Sequence, residues 1–126
     1  MKLLLAIALG GAIGALGRHY AAGQMMKLTG GHFPWGTVTV NVVGSFALGA
    51  LIEIMALKWS VGPELRAFLT VGILGAFTTF STFSMDVALL SERGDTAGAI
   101  FYVAVSVLAS IGALFAGLHL FRQLLA

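Results

Sequence analysis

Four uncharged stretches, Leu3 to Gly17, Leu28 to Ile52, Ala67 to Met85 and Thr96 to Phe121, make up most of this chain and limit what it can become. A helix needs roughly 20 apolar residues to cross the hydrocarbon of a bilayer, and all but the first stretch reach or approach that length unaided. The first is short because Arg18 and His19 interrupt it; a helix carried on toward Met26 puts both near the far interface, where long basic side chains snorkel. With 126 residues, 59% of them hydrophobic, 10% charged and a mean hydropathy of +1.00, the chain reads as an integral membrane protein with no room for a second domain. The expectation is a single all-α, four-helix transmembrane domain over residues 1–126, with spans at about 3–26, 35–57, 65–90 and 96–122. The alternation that marks a membrane β-barrel is absent.

The opening Met-Lys-Leu-Leu-Leu-Ala resembles a secretory signal, but its apolar run continues through Gly10-Gly-Ala-Ile-Gly-Ala without a cleavage site, so a retained first span is expected. There is no cysteine, which removes disulfides, thiolate metal ligands and thiol nucleophiles. His19, His32 and His119 are scattered near span ends and form no catalytic or metal-binding pattern, so an enzyme is not expected.

In a four-span chain the N-terminus, the second loop and the C-terminus share one side of the bilayer. That side collects Lys2, Lys58, Arg66 and Arg122, and the other collects Arg18, Lys27 and Arg93. Lys and Arg bias sets orientation, and this split gives almost none. A chain so balanced can insert both ways, and two opposed copies then pair as an inverted repeat. Small residues provide surfaces for close packing: Gly10 and Gly14 with Gly11 and Ala15 in the first span, Ser106 and Ser110 with Ala109, Ala113 and Gly117 in the last. Spacing does not say whether those contacts lie within or between subunits.

The third stretch contains Gly72-Ile-Leu-Gly-Ala-Phe-Thr-Thr-Phe-Ser-Thr-Phe-Ser84, which combines permissive glycines, hydroxyls and phenylalanines at bilayer depth. Such residues suit a packed helix or a polar cavity better than a lipid-facing surface. Gly72, Gly75 and the hydroxyls of Thr78, Thr79, Ser81, Thr82 and Ser84 make a helix break plausible, and a break frees carbonyls for a cation and N–H groups for an anion. Phe80 and Phe83 share a helix face and offer ring edges to an anion or packing to a neighbour. In the second span, which Pro34 and Trp35 introduce, the Asn41 amide either bonds a neighbouring helix or donates to an anion in a cavity.

Gly10-x3-Gly14-x3-Arg18, Gly36-Thr-Val-Thr-Val-Asn-Val-Val-Gly44 and Gly72-x2-Gly75-x2-Thr-Thr-Phe-Ser-Thr-Phe-Ser84 together resemble the Fluc (CrcB-like) fluoride-channel family, in order and over essentially the whole chain. The resemblance implies an antiparallel, dual-topology homodimer with a broken third helix, in the bacterial plasma (inner) membrane, surrounded by lipid and with no nucleic-acid partner. It further implies a fluoride-selective channel that passively exports cytoplasmic fluoride and so relieves its toxicity. Carried over residue by residue, main-chain carbonyls of Gly75 and Thr78 would hold a structural sodium ion at the dimer interface. Asn41, Phe80, Ser81, Thr82 and Phe83 would lie along the fluoride path, and Ser106 and Ser110 would add hydroxyls. The chain departs from the family in having Asp86 where Glu is common; with Tyr102 it would serve the pore mouth, or else pair with Arg93 or Lys27. The alternative is a small four-helix, dual-topology multidrug or cation transporter, but its proton coupling calls for a carboxylate in the first span and Leu3 to Gly17 has none.

Overall fold

The computed structural model describes residues 1–126 and is helical throughout, with no strand. Helix α1 covers Lys2–Thr29 and α2 covers Trp35–Leu57. The third segment is composite: α3 (Pro63–Ala67), a π-helical stretch (Phe68–Leu74), α4 (Gly75–Phe77) and α5 (Ser81–Glu92). Helix α6 covers Thr96–Leu125. Taken as continuous segments, Lys2–Thr29, Trp35–Leu57, Pro63–Glu92 and Thr96–Leu125 are four units long and apolar enough to cross a membrane. Helices are what such sequences must form in lipid, where every backbone N–H and C=O has to find its partner inside the protein.

Local chemistry sets the helix ends. Gly30 terminates α1 in a left-handed conformation (φ 85°), which costs glycine nothing. Asp95 caps α6, its Oδ1 accepting from the Gly98 N–H at 2.9 Å.

Packing follows the small residues. The most extensive contact joins α2 to α6, where Gly49 lies on the Leu114 carbonyl and Gly117 on the Phe46 carbonyl. At the end of this pair the buried Glu53 accepts from Arg122 Nη2 at 2.6 Å and Nε at 3.1 Å, fastening α2 to α6. Helix α1 packs on the π-helical stretch and α4. A Cβ at Gly10 would stand 2.5 Å from the Phe68 carbonyl oxygen and 3.0 Å from Gly72 Cα, and one at Gly14 would collide with the Ile73 carbonyl. The Gly10 and Gly14 surface is therefore used within one chain, and so is Gly117.

Arg18 corrects one expectation. It is 11 residues before the end of α1, about 16 Å along the axis, so it does not snorkel at the interface. It points at the third segment, where Nε donates to the Ala76 carbonyl at 3.0 Å and Nη1 approaches Thr82 Oγ1 at 3.5 Å.

Replacing Gly14 by Val should force α1 off the third segment at a cost of about 3 kcal/mol, the upper range for overpacking. Thermal unfolding of the detergent-purified protein should show a lower midpoint for Gly14→Val and no loss for Gly23→Ala, where an added Cβ meets nothing within 4 Å.

Candidate functional site

The chain leaves helical geometry at Thr78 (φ −89°, ψ 159°) and resumes it at Ser81. In a continuous helix the Thr79 N–H would bond the Gly75 carbonyl, and the Thr82 N–H the Thr78 carbonyl. Neither bond forms. The Thr79 N–H donates to Asn41 Oδ1 at 2.7 Å, and Asn41 Nδ2 donates back to the Thr79 carbonyl at 2.9 Å. The Thr82 N–H donates to Thr79 Oγ1 at 3.1 Å, which starts α5 as a cap. Asn41 thus closes a two-bond ring with the backbone of one residue, and the Gly75 and Thr78 carbonyls are left without their helical donors. Gly44, one turn further along α2, makes room: a Cβ there would strike the Thr78 methyl and stand 3.1 Å from the Phe77 ring.

Two polar stripes run at four-residue spacing beside this point. On α2 lie Thr37, Asn41 and Ser45, and on α6 lie Tyr102, Ser106 and Ser110; residues four apart share a helix face. Between the stripes a cavity of about 380 Å³ is lined by Asn41, Ser45, Thr79, Ser106 and Ser110 together with Phe80 and Phe83. The hydroxyls of Ser106 and Ser110 are buried and have no hydrogen-bond partner. Asn41 also retains one amide hydrogen beyond the one given to Thr79, since its NH2 carries two. The cavity therefore offers donors within an otherwise apolar wall.

An aromatic series leads away from it. The Phe80 and Phe83 centroids are 5.5 Å apart, Phe83 and Tyr102 are 5.1 Å apart, and Phe33 meets Tyr102 edge-on at 5.4 Å. Phe83 and Tyr102 are buried, whereas Phe80 is 77% exposed on a single copy. Beyond Phe83 the Tyr102 hydroxyl and the Thr37 hydroxyl both donate to Asp86 Oδ2, each at 2.8 Å.

The chain's residues 5–118 match the family model described as CrcB-like protein, Camphor Resistance (CrcB). A Rhodospirillum centenum protein named fluoride-specific ion channel FluC is 54% identical over 126 residues, which is all of both chains. Proteins of the same name from Chelativorans and Agrobacterium fabrum are 53% and 48% identical, covering 99% and 94% of this chain and 100% and 94% of their own. The chain belongs to the CrcB-like family.

In this CrcB-like chain, Asn41, Phe80, Phe83, Ser106, Ser110 and Thr78 share the cavity wall. Ser81 and Thr82 do not line it. Ser81 is exposed near Thr79 Oγ1, and Thr82 turns its hydroxyl toward Arg18. Asp86 and Tyr102 bond each other outside that wall, and Asp86 forms no ion pair with Arg93 or Lys27. Thr37 and Ser45 were not selected from the sequence as path residues, and Thr79 was selected only for the helix break. Their signal was the fourfold spacing about Asn41 for the first two, whereas nothing in the sequence marks the Thr79 peptide as the partner of Asn41.

Substituting Asn41 by Ala leaves the partly buried Thr79 N–H and C=O without their partners, a loss of at most about 1–3 kcal/mol for each group. Asn41→Asp keeps the acceptor but sets a carboxylate oxygen against the Thr79 carbonyl, so it should lose stability as well. Chemical or thermal unfolding in detergent should place both N41A and N41D below wild type.

Proposed function

We propose that this chain is a fluoride-selective channel that passively exports fluoride through the bacterial inner membrane. The observation that carries the reading is the pair of buried, unpartnered hydroxyls, Ser106 and Ser110, beside Asn41 and the rings of Phe80 and Phe83. Buried donors without acceptors are rare because each costs desolvation energy, and an anion that has shed water supplies the missing acceptor. Fluoride is small and accepts hydrogen bonds strongly, so hydroxyl, amide and ring-edge donors in a narrow path replace its hydration better than that of a larger halide. The names of the relatives agree with this ion. The Asp86 carboxylate, held by Thr37 and Tyr102, lies at the pathway's next polar station, and Asp reaches one methylene less than Glu. Flow down an electrochemical gradient needs no coupled reaction, and the chain holds no group of three or more His, Cys, Asp or Glu residues suited to a metal.

The working unit in this proposal is an antiparallel homodimer, and the interruption at Thr78 is the break in the third transmembrane helix. The nearly even Lys and Arg split supports dual insertion. Phe80 and Gly75 are exposed on one copy, where a second copy would cover them. The Gly75 and Thr78 carbonyls, stripped of helical donors, suit a hard cation such as sodium, and two opposed copies would supply two pairs of them. Bound there, the ion would contribute positive charge that holds the two interruptions together. Arg18, by taking the Ala76 carbonyl between them, leaves those two oxygens for the ion. Ser81 and Thr82 belong to the rim of the path in this reading.

Reconstituted into liposomes, the wild-type chain should release fluoride and not chloride, measured with ion-selective electrodes. Absence of fluoride release in vesicles that respond normally to a control ionophore would overturn the channel reading. In the same assay Phe80→Ile and Phe83→Ile should each slow release at least about tenfold, a smaller effect than loss of a donor aimed at a developing charge has on a catalysed rate, while gel filtration still shows the dimer. Exchange of sodium for N-methylglucamine throughout purification should lower the thermal midpoint of the dimer.

A further inference from the structure

A second cavity of about 320 Å³ opens at the other side of Asp86, walled by Met26, His32, Pro34, Asp86 and Arg93. Phe83 and Tyr102 link it to the first cavity: Phe83 lines the first, its ring is 5.1 Å from Tyr102, and the Tyr102 hydroxyl bonds the Asp86 carboxylate that lines the second. The second cavity thus holds one carboxylate and one guanidinium. Asp86 Oδ2 is satisfied by two hydroxyls, and Oδ1 accepts nothing. Arg93 has no carboxylate partner, since the chain's one ion pair is Arg122 with Glu53. Its sole side-chain hydrogen bond is a long one, Nη2 to the His32 carbonyl at 3.4 Å, which leaves most of its donor fork without a hydrogen-bonded protein partner.

An anion approaching Asp86 through this cavity meets a negative wall unless that charge is offset, and Arg93 is the cation placed to do so. We propose that this cavity is a mouth of the conduction path and that Arg93 is its anion-attracting residue; the proposal rests on the fluoride-channel reading. The guanidinium offsets the field of Asp86 over the entry, raises the local fluoride concentration, and offers charge-assisted hydrogen bonds to the incoming ion. Its effect is electrostatic and therefore fades as salt shortens the screening length from about 30 Å at 0.01 M to about 3 Å at 1 M.

The experiment measures fluoride efflux from osmotically balanced liposomes at ionic strengths of about 0.01 M and about 1 M, for wild type and the variants Arg93→Gln, Arg93→Lys and Arg93→Glu, each first shown to elute as wild type does. At low ionic strength Arg93→Gln should be slower by at least about threefold, Arg93→Glu slower still and Arg93→Lys close to wild type, with the differences collapsing at high ionic strength. Two results overturn the inference while leaving the channel reading intact: Arg93→Gln conducting as wild type does at low ionic strength, or a deficit that persists at high ionic strength and is shared by Arg93→Lys, as a purely structural tie to the His32 loop would give. Absence of efflux from wild type overturns both.

Discussion

The rest of the site depends on the pairing of the Asn41 amide with the Thr79 peptide. Inside a bilayer no water waits to satisfy a backbone group, so a helix can leave its hydrogen-bond ladder only where side chains replace the missing partners. Asn41 does this twice, once as acceptor and once as donor. Thr79 then caps the resumed helix through its own hydroxyl, and Arg18 takes the Ala76 carbonyl from the opposite side. What remains unclaimed are the carbonyls of Gly75 and Thr78. The interruption is thus a local exchange of partners that is almost complete, and its incompleteness is what makes it chemically available.

That exchange is possible only because α1 and α2 approach the third segment closely, with α6 in turn closed on α2. Gly10 and Gly14 bring α1 into backbone contact with the π-helical stretch, and so bring Arg18 within reach of Ala76. Gly44 lets α2 close on Thr78, which places Asn41 beside Thr79. Gly49 and Gly117 do the same for α2 and α6, setting the Thr37, Asn41, Ser45 stripe against Tyr102, Ser106 and Ser110. Small residues serve here to fix distances between polar groups as well as to gain contact between helices.

Charge is distributed with similar economy. Glu53 and Arg122 neutralise each other at one end of the α2 and α6 pair. Asp86 is held by two neutral hydroxyls, and Arg93 faces the same cavity without a carboxylate of its own. A carboxylate bound by neutral donors keeps its negative field, whereas one in an ion pair would lose most of it. The cation across the cavity therefore matters for any anion that enters.

The membrane class, the all-helical architecture and the four spans were legible in the chain itself, because the lengths of uncharged runs and the absence of water in lipid leave helices as the solution. The family, too, was written in the spacing of Gly10, Gly14 and Arg18, of Gly36 and Asn41, and of the Thr-Thr-Phe-Ser-Thr-Phe string. Tertiary structure decided the rest. Whether Asn41 bonds a neighbour or faces a cavity is undetermined by its position in one helix; it does both, since the Thr79 peptide uses one amide hydrogen and leaves the other. Arg18 read as an interfacial residue because sequence supplies its distance along α1 but not the carbonyl at its side, 58 positions away. Asp86 likewise found Tyr102 and Thr37 in place of a basic partner, as the crossing of helices, not the order of residues, determines which groups meet in a space without water.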